Sequence, residues 1–147
     1  MQYTRLTFVS ALIVGLAGTH LASAEMVPGE IDSASGPGWA SAWMNLDQAQ
    51  NFRKGERLCL RIGGSRSVLV RLLPEGGNPS RSVGIDKGIR EVPDSGALEI
   101  TLATDHHNTR QISVHGGETA WSWQFLDGNL PPTLSSIERI SGDQTCR

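Results

Sequence analysis

The chain has 147 residues with 13 basic and 15 acidic side chains, for a formal charge of −2 at pH 7. That length supports one hydrophobic core and is short for two ordinary domains. The basic residues (Arg53, Lys54, Arg57, Arg61, Arg66, Arg71) are scattered rather than clustered, so a nucleic-acid partner is not expected.

The first element is an address. Arg5 supplies a positive start, Leu6 to Ala17 is mostly apolar, and Ala22-Ser23-Ala24 has the small-x-small form of a signal-peptidase site. Residues 1–24 therefore read as a signal peptide cleaved before Glu25, which leaves 123 residues and a formal charge of −3. The apolar run is short for a membrane span and no second one follows, so no membrane span is expected. The first cysteine is Cys59, far from the apolar run, so no lipid anchor is expected either. The mature protein is expected in the periplasm or secreted.

From Glu25 to Gly38 the chain is rich in Gly, Pro, Ser and acids without periodicity, and reads as a flexible leader over 25–38. The single domain is expected over 39–147. In WASAWMNLDQAQ, Trp39, Trp43, Leu46 and Gln50 are spaced for a short helix, yet Trp39 and Trp43 also share one parity of an irregular strand. In either form these two tryptophans are expected to cover one end of the core.

Regular alternation begins after the Lys54-Gly55 turn. LCLRI and SVLVRLL read as strands joined by a hairpin loop at Gly63-Gly64-Ser65-Arg66, with Leu58, Leu60 and Ile62, then Val68, Val70 and Leu72, facing inward. PEGGNPS reads as a loop, SVGI as a short strand, Asp86-Lys87-Gly88 as a tight turn, and Pro93 to Gly96 as a type I turn. ALEITLA then places Leu98, Ile100 and Leu102 inward. In RQISVHGGETAWSWQF, Gln111, Ser113 and His115 share a wet face while Ile112 and Val114 share the core face. After the Gly116-Gly117 turn, Trp121, Trp123 and Phe125 line one face of a further strand, filling the core or gripping a ligand. Asp127-Gly128-Asn129 and Pro131-Pro132 lead into TLSSIERI, a last strand whose Leu134, Ile137 and Ile140 break strict alternation and so predict a bulge. About seven or eight short strands with no long amphipathic helix predict an all-β, antiparallel β-sandwich.

The two cysteines, Cys59 and Cys146, both fall in the exported part, where pairing is the default, and they are expected to form a disulfide. Cys59 has the opposite parity to Leu58, Leu60 and Ile62, so its sulfur should point away from the core and clamp the C-terminal tail. No CxxC or Cys-His cluster points to redox or zinc chemistry.

The run from AQNFRKGERLCLRIGG to RQISVHGGETAWSWQFLDG resembles the jelly-roll sandwiches of the galactose-binding-domain-like and carbohydrate-binding-module group, over about residues 39 to 140. The resemblance implies a jelly-roll-like fold and a ligand-binding accessory domain for glycans, often with a structural calcium. No calcium loop stands in the sequence, and neither a cofactor nor a bound metal is expected.

Catalytic patterns are weak. His115-Gly116-Gly117 and Gly63-Gly64-Ser65-Arg66-Ser67 approximate pieces of a hydrolase site that belongs to a far larger fold. Asp105, His106, His107 and Asn108 read as a polar loop, since adjacent histidines of an extended segment point to opposite faces. The chain is therefore read as a non-enzyme: an exported binding module whose ligand residues are Trp121, Trp123, His115, Gln111, Arg110, Asp105 and Asn108 and whose partner is a saccharide or cell-envelope glycan. The alternative is a small exported protein whose partner is another secreted protein.

Overall fold

The structure, a computed structural model, describes residues 24–36, 39–76, 89–116 and 131–147. Among the described residues nine strands run in chain order: β1 (Glu25–Met26), β2 (Gly29–Gly36), β3 (Trp39–Phe52), β4 (Arg57–Gly63), β5 (Ser67–Pro74), β6 (Arg90–Glu91), β7 (Ala97–Thr101), β8 (His106–Gly116) and β9 (Thr133–Ile140). They form two antiparallel sheets, ordered β1-β9-β4-β7 and β2-β3-β8-β5-β6. Strands that follow each other in sequence mostly lie in opposite sheets, as in a jelly roll.

The core forms where the alternation predicts it. Leu58, Leu60 and Ile100 of one sheet and Val70, Ile112 and Val114 of the other belong to one buried cluster, each at most 1 % exposed. Polar residues of opposite parity stay outside, so the period-2 pattern alone decides which face each sheet buries. The expected bulge in β9 is present as a register shift against β4 between Arg61 and Ile62. The Pro93 to Gly96 turn is closed by the Gly96 N–H donating to the Pro93 carbonyl at 2.8 Å.

Three expectations are corrected. Residues 25–36 are not a flexible leader. Val27 is buried, its N–H donates to the Ile137 carbonyl at 2.9 Å, and β2 pairs with β3 along its whole length, from Gly29 opposite Leu46 to Gly36 opposite Trp39. Small polar residues suit an edge strand because backbone bonds hold it and its side chains bury little; all side chains from Glu30 to Ser35 are exposed. A Cβ at Gly29 would stand 2.5 Å from the Asn45 carbonyl oxygen, so glycine is required for the close approach.

Second, of the two forms open to the segment from Trp39 the strand is the one formed, but Trp43 does not cover the core. Ala42, Met44 and Leu46 take the inward parity and leave Trp43 half-buried on the other face. Phe52, fully buried, fills the core at the end of β3, with the Arg139 guanidinium 4.0 Å from its ring centroid. Arg139 also donates to Glu56 and Gln50, each at 2.7 Å.

Third, Gly63 to Arg66 is not a hairpin loop but a crossover between the sheets, since β4 pairs with β7 and β9 while β5 pairs with β6 and β8. Gly64 has φ +75°, and a Cβ there would collide with the Pro131 carbonyl oxygen. The expected strand at 82–85, the turn at 86–88 and the aromatic strand after Gly117 lie outside the described residues.

Cys59 and Cys146 are joined in a disulfide across a sequence separation of 87. Cys59 faces away from the main core and shares a small buried cluster with Ala97 and Ile140. Arg57 holds the tail beside it, donating to the Gly142 carbonyl at 2.6 Å and the Gln144 carbonyl at 3.1 Å.

Candidate functional site

The outer face of the five-stranded sheet carries a grid of side chains fixed by register. Ser41 of β3, His115 of β8 and Leu69 of β5 are cross-strand partners in one row. Trp43, Ser113 and Arg71 make the next row, and Asn45, Gln111 and Leu73 the third. The residues between them on each strand point into the core, so the burial that folds the sandwich also presents this face.

A hollow of about 200 Å³ opens here, lined by Ser41, Trp43, Arg71, Leu73, Gln111, Ser113 and His115. Its side chains are oriented by one another. The Gln111 amide donates to Asn45 Oδ1 at 3.0 Å, and Ser113 Oγ lies 3.1 Å from His115 Nε2. Burial, and secondarily the Arg71 charge, pushes the His115 imidazole down from 6.5 to about 4. Burial also lowers the Arg71 pKa, but a guanidinium stays charged at any physiological pH. The hollow thus offers an indole, a fixed cation, a neutral imidazole and several hydrogen-bonding groups.

The depressed His115 pKa gives stability a defined pH dependence. Above pH 6.5 the ring is neutral in both folded and unfolded states and has no effect. As pH falls from 6.5 to about 4, the unfolded chain binds a proton that the folded chain refuses, so stability is lost over that window. The loss amounts to about 3 kcal/mol at most. His115→Gln should therefore lose less melting temperature than the wild type between those pH values, and parallel curves would contradict this origin.

Of the site residues read from the sequence, the structure brings His115 and Gln111 together in the hollow. Arg110 is exposed, has the opposite parity to Gln111, and does not line it. Asp105 and Asn108 sit at the far end of β8 and organise turns. Asp105 accepts the Lys54 N–H at 2.7 Å; Asn108, at φ 54°, donates its N–H to Asn51 Oδ1 at 2.8 Å, and its carbonyl accepts the Glu75 N–H at 2.8 Å. His106 nearby has its pKa lowered by burial, opposed by Asp105 and assisted by His107. No group of three His, Cys, Asp or Glu that could hold a metal occurs among the described residues. Trp121 and Trp123 lie outside the described residues.

The reading missed Trp43, Arg71 and Ser41. The signal was present: Ala42, Met44 and Leu46 form an apolar series that leaves Ser41 and Trp43 on the other parity, as Val68, Val70 and Leu72 leave Arg71. What the sequence lacks is the register that sets β3 and β5 on either side of β8.

No family model and no curated protein matches the chain. Among solved structures it is similar to chitosan-binding module 1, derived from a chitosanase/glucanase of Paenibacillus sp. IK-5, with 15% sequence identity, a TM-score of 0.46, and coverage of 84% of this chain and 80% of that chain. Fold and site define an all-β sandwich with a tryptophan-bearing polar hollow on the outer face of one sheet.

Proposed function

We propose that the chain is an exported, non-catalytic carbohydrate-binding module whose site is the hollow on β3, β8 and β5. The observation that carries this reading is the row in which Trp43, Ser113 and Arg71 are direct cross-strand partners. A sugar ring has an apolar C–H face that stacks on an indole and a rim of hydroxyls that needs hydrogen-bonding partners, and the hollow supplies both within one register. Glycoside hydrolysis needs two carboxyl groups, whereas among the described residues no carboxylate lines the hollow. The signal-peptide pattern of residues 1–24 and the Cys59–Cys146 disulfide support export. Among the described residues no helix is long and apolar enough to cross a membrane. The partner in this reading is a glycan or other envelope component. Trp121 and Trp123 remain candidates for additional stacking.

The test is a glycan panel titrated calorimetrically into the mature chain, followed by Trp43→Ala against the best ligand. The variant should lose at least tenfold in affinity, or about 1.4 kcal/mol. Its melting temperature should fall only slightly, because Trp43 lies outside the core. Absence of any bound saccharide in the wild type would turn the assignment to the other partner class, a secreted protein.

A further inference from the structure

The uncharged part of the hollow has a pattern of its own. Arg71 and His115 already have partners within the protein, and no ligand contact is assigned to them. Gln111 and Ser113 are two residues apart on one face of β8, with their roots about 7 Å apart along the strand. Gln111 Nε2 donates one hydrogen to Asn45 Oδ1 at 3.0 Å and carries a second. Ser113 Oγ lies 3.1 Å from His115 Nε2, and in either tautomer of the neutral ring the hydroxyl oxygen keeps a lone pair. The floor of the hollow thus presents a donor and an acceptor in line along β8. Its walls are apolar and stand on the flanking strands. Leu73 of β5, 8 % exposed, is the cross-strand partner of Gln111, and Trp43 of β3 is that of Ser113.

An acetamido group matches this diagonal. A secondary amide is trans, so its carbonyl and its N–H point in opposite directions, and with hydrogen bonds of about 2.9 Å at each end their partners stand about 7 to 8 Å apart. When the carbonyl accepts from Gln111 and the N–H donates to Ser113, the carbon bearing the methyl lies in the row of Leu73 and the nitrogen bearing the sugar in the row of Trp43. The two substituents leave on opposite sides, the methyl toward β5 and the sugar toward β3. A hydroxyl on the same sugar carbon reaches only one of the two polar groups and leaves Leu73 against water. An ammonium there has no acceptor for the Gln111 N–H. Building on the carbohydrate-binding reading, we propose that the hollow selects a 2-acetamido sugar: an N-acetylhexosamine unit stacks on Trp43, its amide bridges Gln111 and Ser113, and its methyl packs on Leu73.

The experiment takes the mature wild-type chain and the methyl glycosides of N-acetylglucosamine and N-acetylgalactosamine, each against its free amine and its 2-hydroxy counterpart, titrated by tryptophan fluorescence. At least one acetamido sugar should bind at least tenfold more tightly than both of its counterparts. Saturation-transfer NMR should place its acetyl methyl among the protons closest to the protein. Gln111→Glu removes the donor and should bring the affinity down to that of the 2-hydroxy sugar. Acetamido sugars that bind no more tightly than the amines or 2-hydroxy sugars, or an acetyl methyl that receives no saturation, overturn the selectivity while leaving a carbohydrate-binding module. If no saccharide binds, here or in the wider glycan panel, the carbohydrate reading itself falls. The wild-type comparison decides the matter even if Gln111→Glu fails to fold.

Discussion

Val114→Asp should leave no folded protein at room temperature. Val114 is fully buried on β8, the central strand of its sheet, with Ala42 on one side and Val70 on the other. An aspartate there must either hold an unpaired charge in the core or remain protonated and still bury an unsatisfied polar group. Either costs several kcal/mol against a total stability of about 5 to 15 kcal/mol. Far-ultraviolet circular dichroism with thermal melting reads the result directly. A cooperative transition close to that of the wild type would show that Val114 does not face the core.

Opening the Cys59–Cys146 bond should destabilise strongly while preserving the fold. The sequence separation of 87 corresponds to about 4 to 5 kcal/mol in the chain-entropy description, an upper figure because denatured-state structure reduces it. Cys146→Ser is the cleaner variant, since Cys146 is only partly buried whereas Cys59 is 1 % exposed. Its melting temperature should fall by about 10 to 20 °C, with the β-sheet spectrum unchanged below the transition. The bond lies outside the main core, so β4 keeps its partners β7 and β9 when the tail is released. Intact mass with alkylation checks the premise: unreduced wild type should take up no alkylating agent. An unchanged melting temperature would mean that the denatured chain gains little freedom when the bond is absent.

The strands and their inward faces were legible because alternation is a local property. LCLRI, SVLVRLL, ALEITL and QISVH each state which side is buried. Pairing is not local. The loop at Gly63 to Arg66 has the composition of a hairpin, and only the partners chosen by β4 and β5 make it a crossover. Edge strand β2 escaped notice for a different reason, since exposed Ser, Asp and Glu side chains give no burial pattern while the backbone still pairs. Part of the lining of the candidate hollow follows from parity on β8, which carries Gln111 and His115. The rest, Trp43 and Arg71 among it, comes from strands brought alongside by register. Arg110, Asp105 and Asn108 were grouped with the site by nearness in sequence, yet a change of parity and the bulge between Asn45 and Gln50 carry them elsewhere.

The strand order also constrains how the chain can be made. β8 lies between β3 and β5, and β9 between β1 and β4, so the central partner of each sheet comes later in synthesis than the strands it joins. A chain delivered N-terminus first can close the β2–β3 pair early, but an isolated two-stranded unit is marginal in water. β5 lacks its partner β8 until residue 116 has emerged and β4 lacks β9 until residue 140, and the exposed edges and apolar faces favour aggregation over folding in the meantime. Productive folding is therefore a late, single event with a high entropic barrier from non-local pairing, and a holding chaperone should raise the yield of folded protein more than a disulfide isomerase.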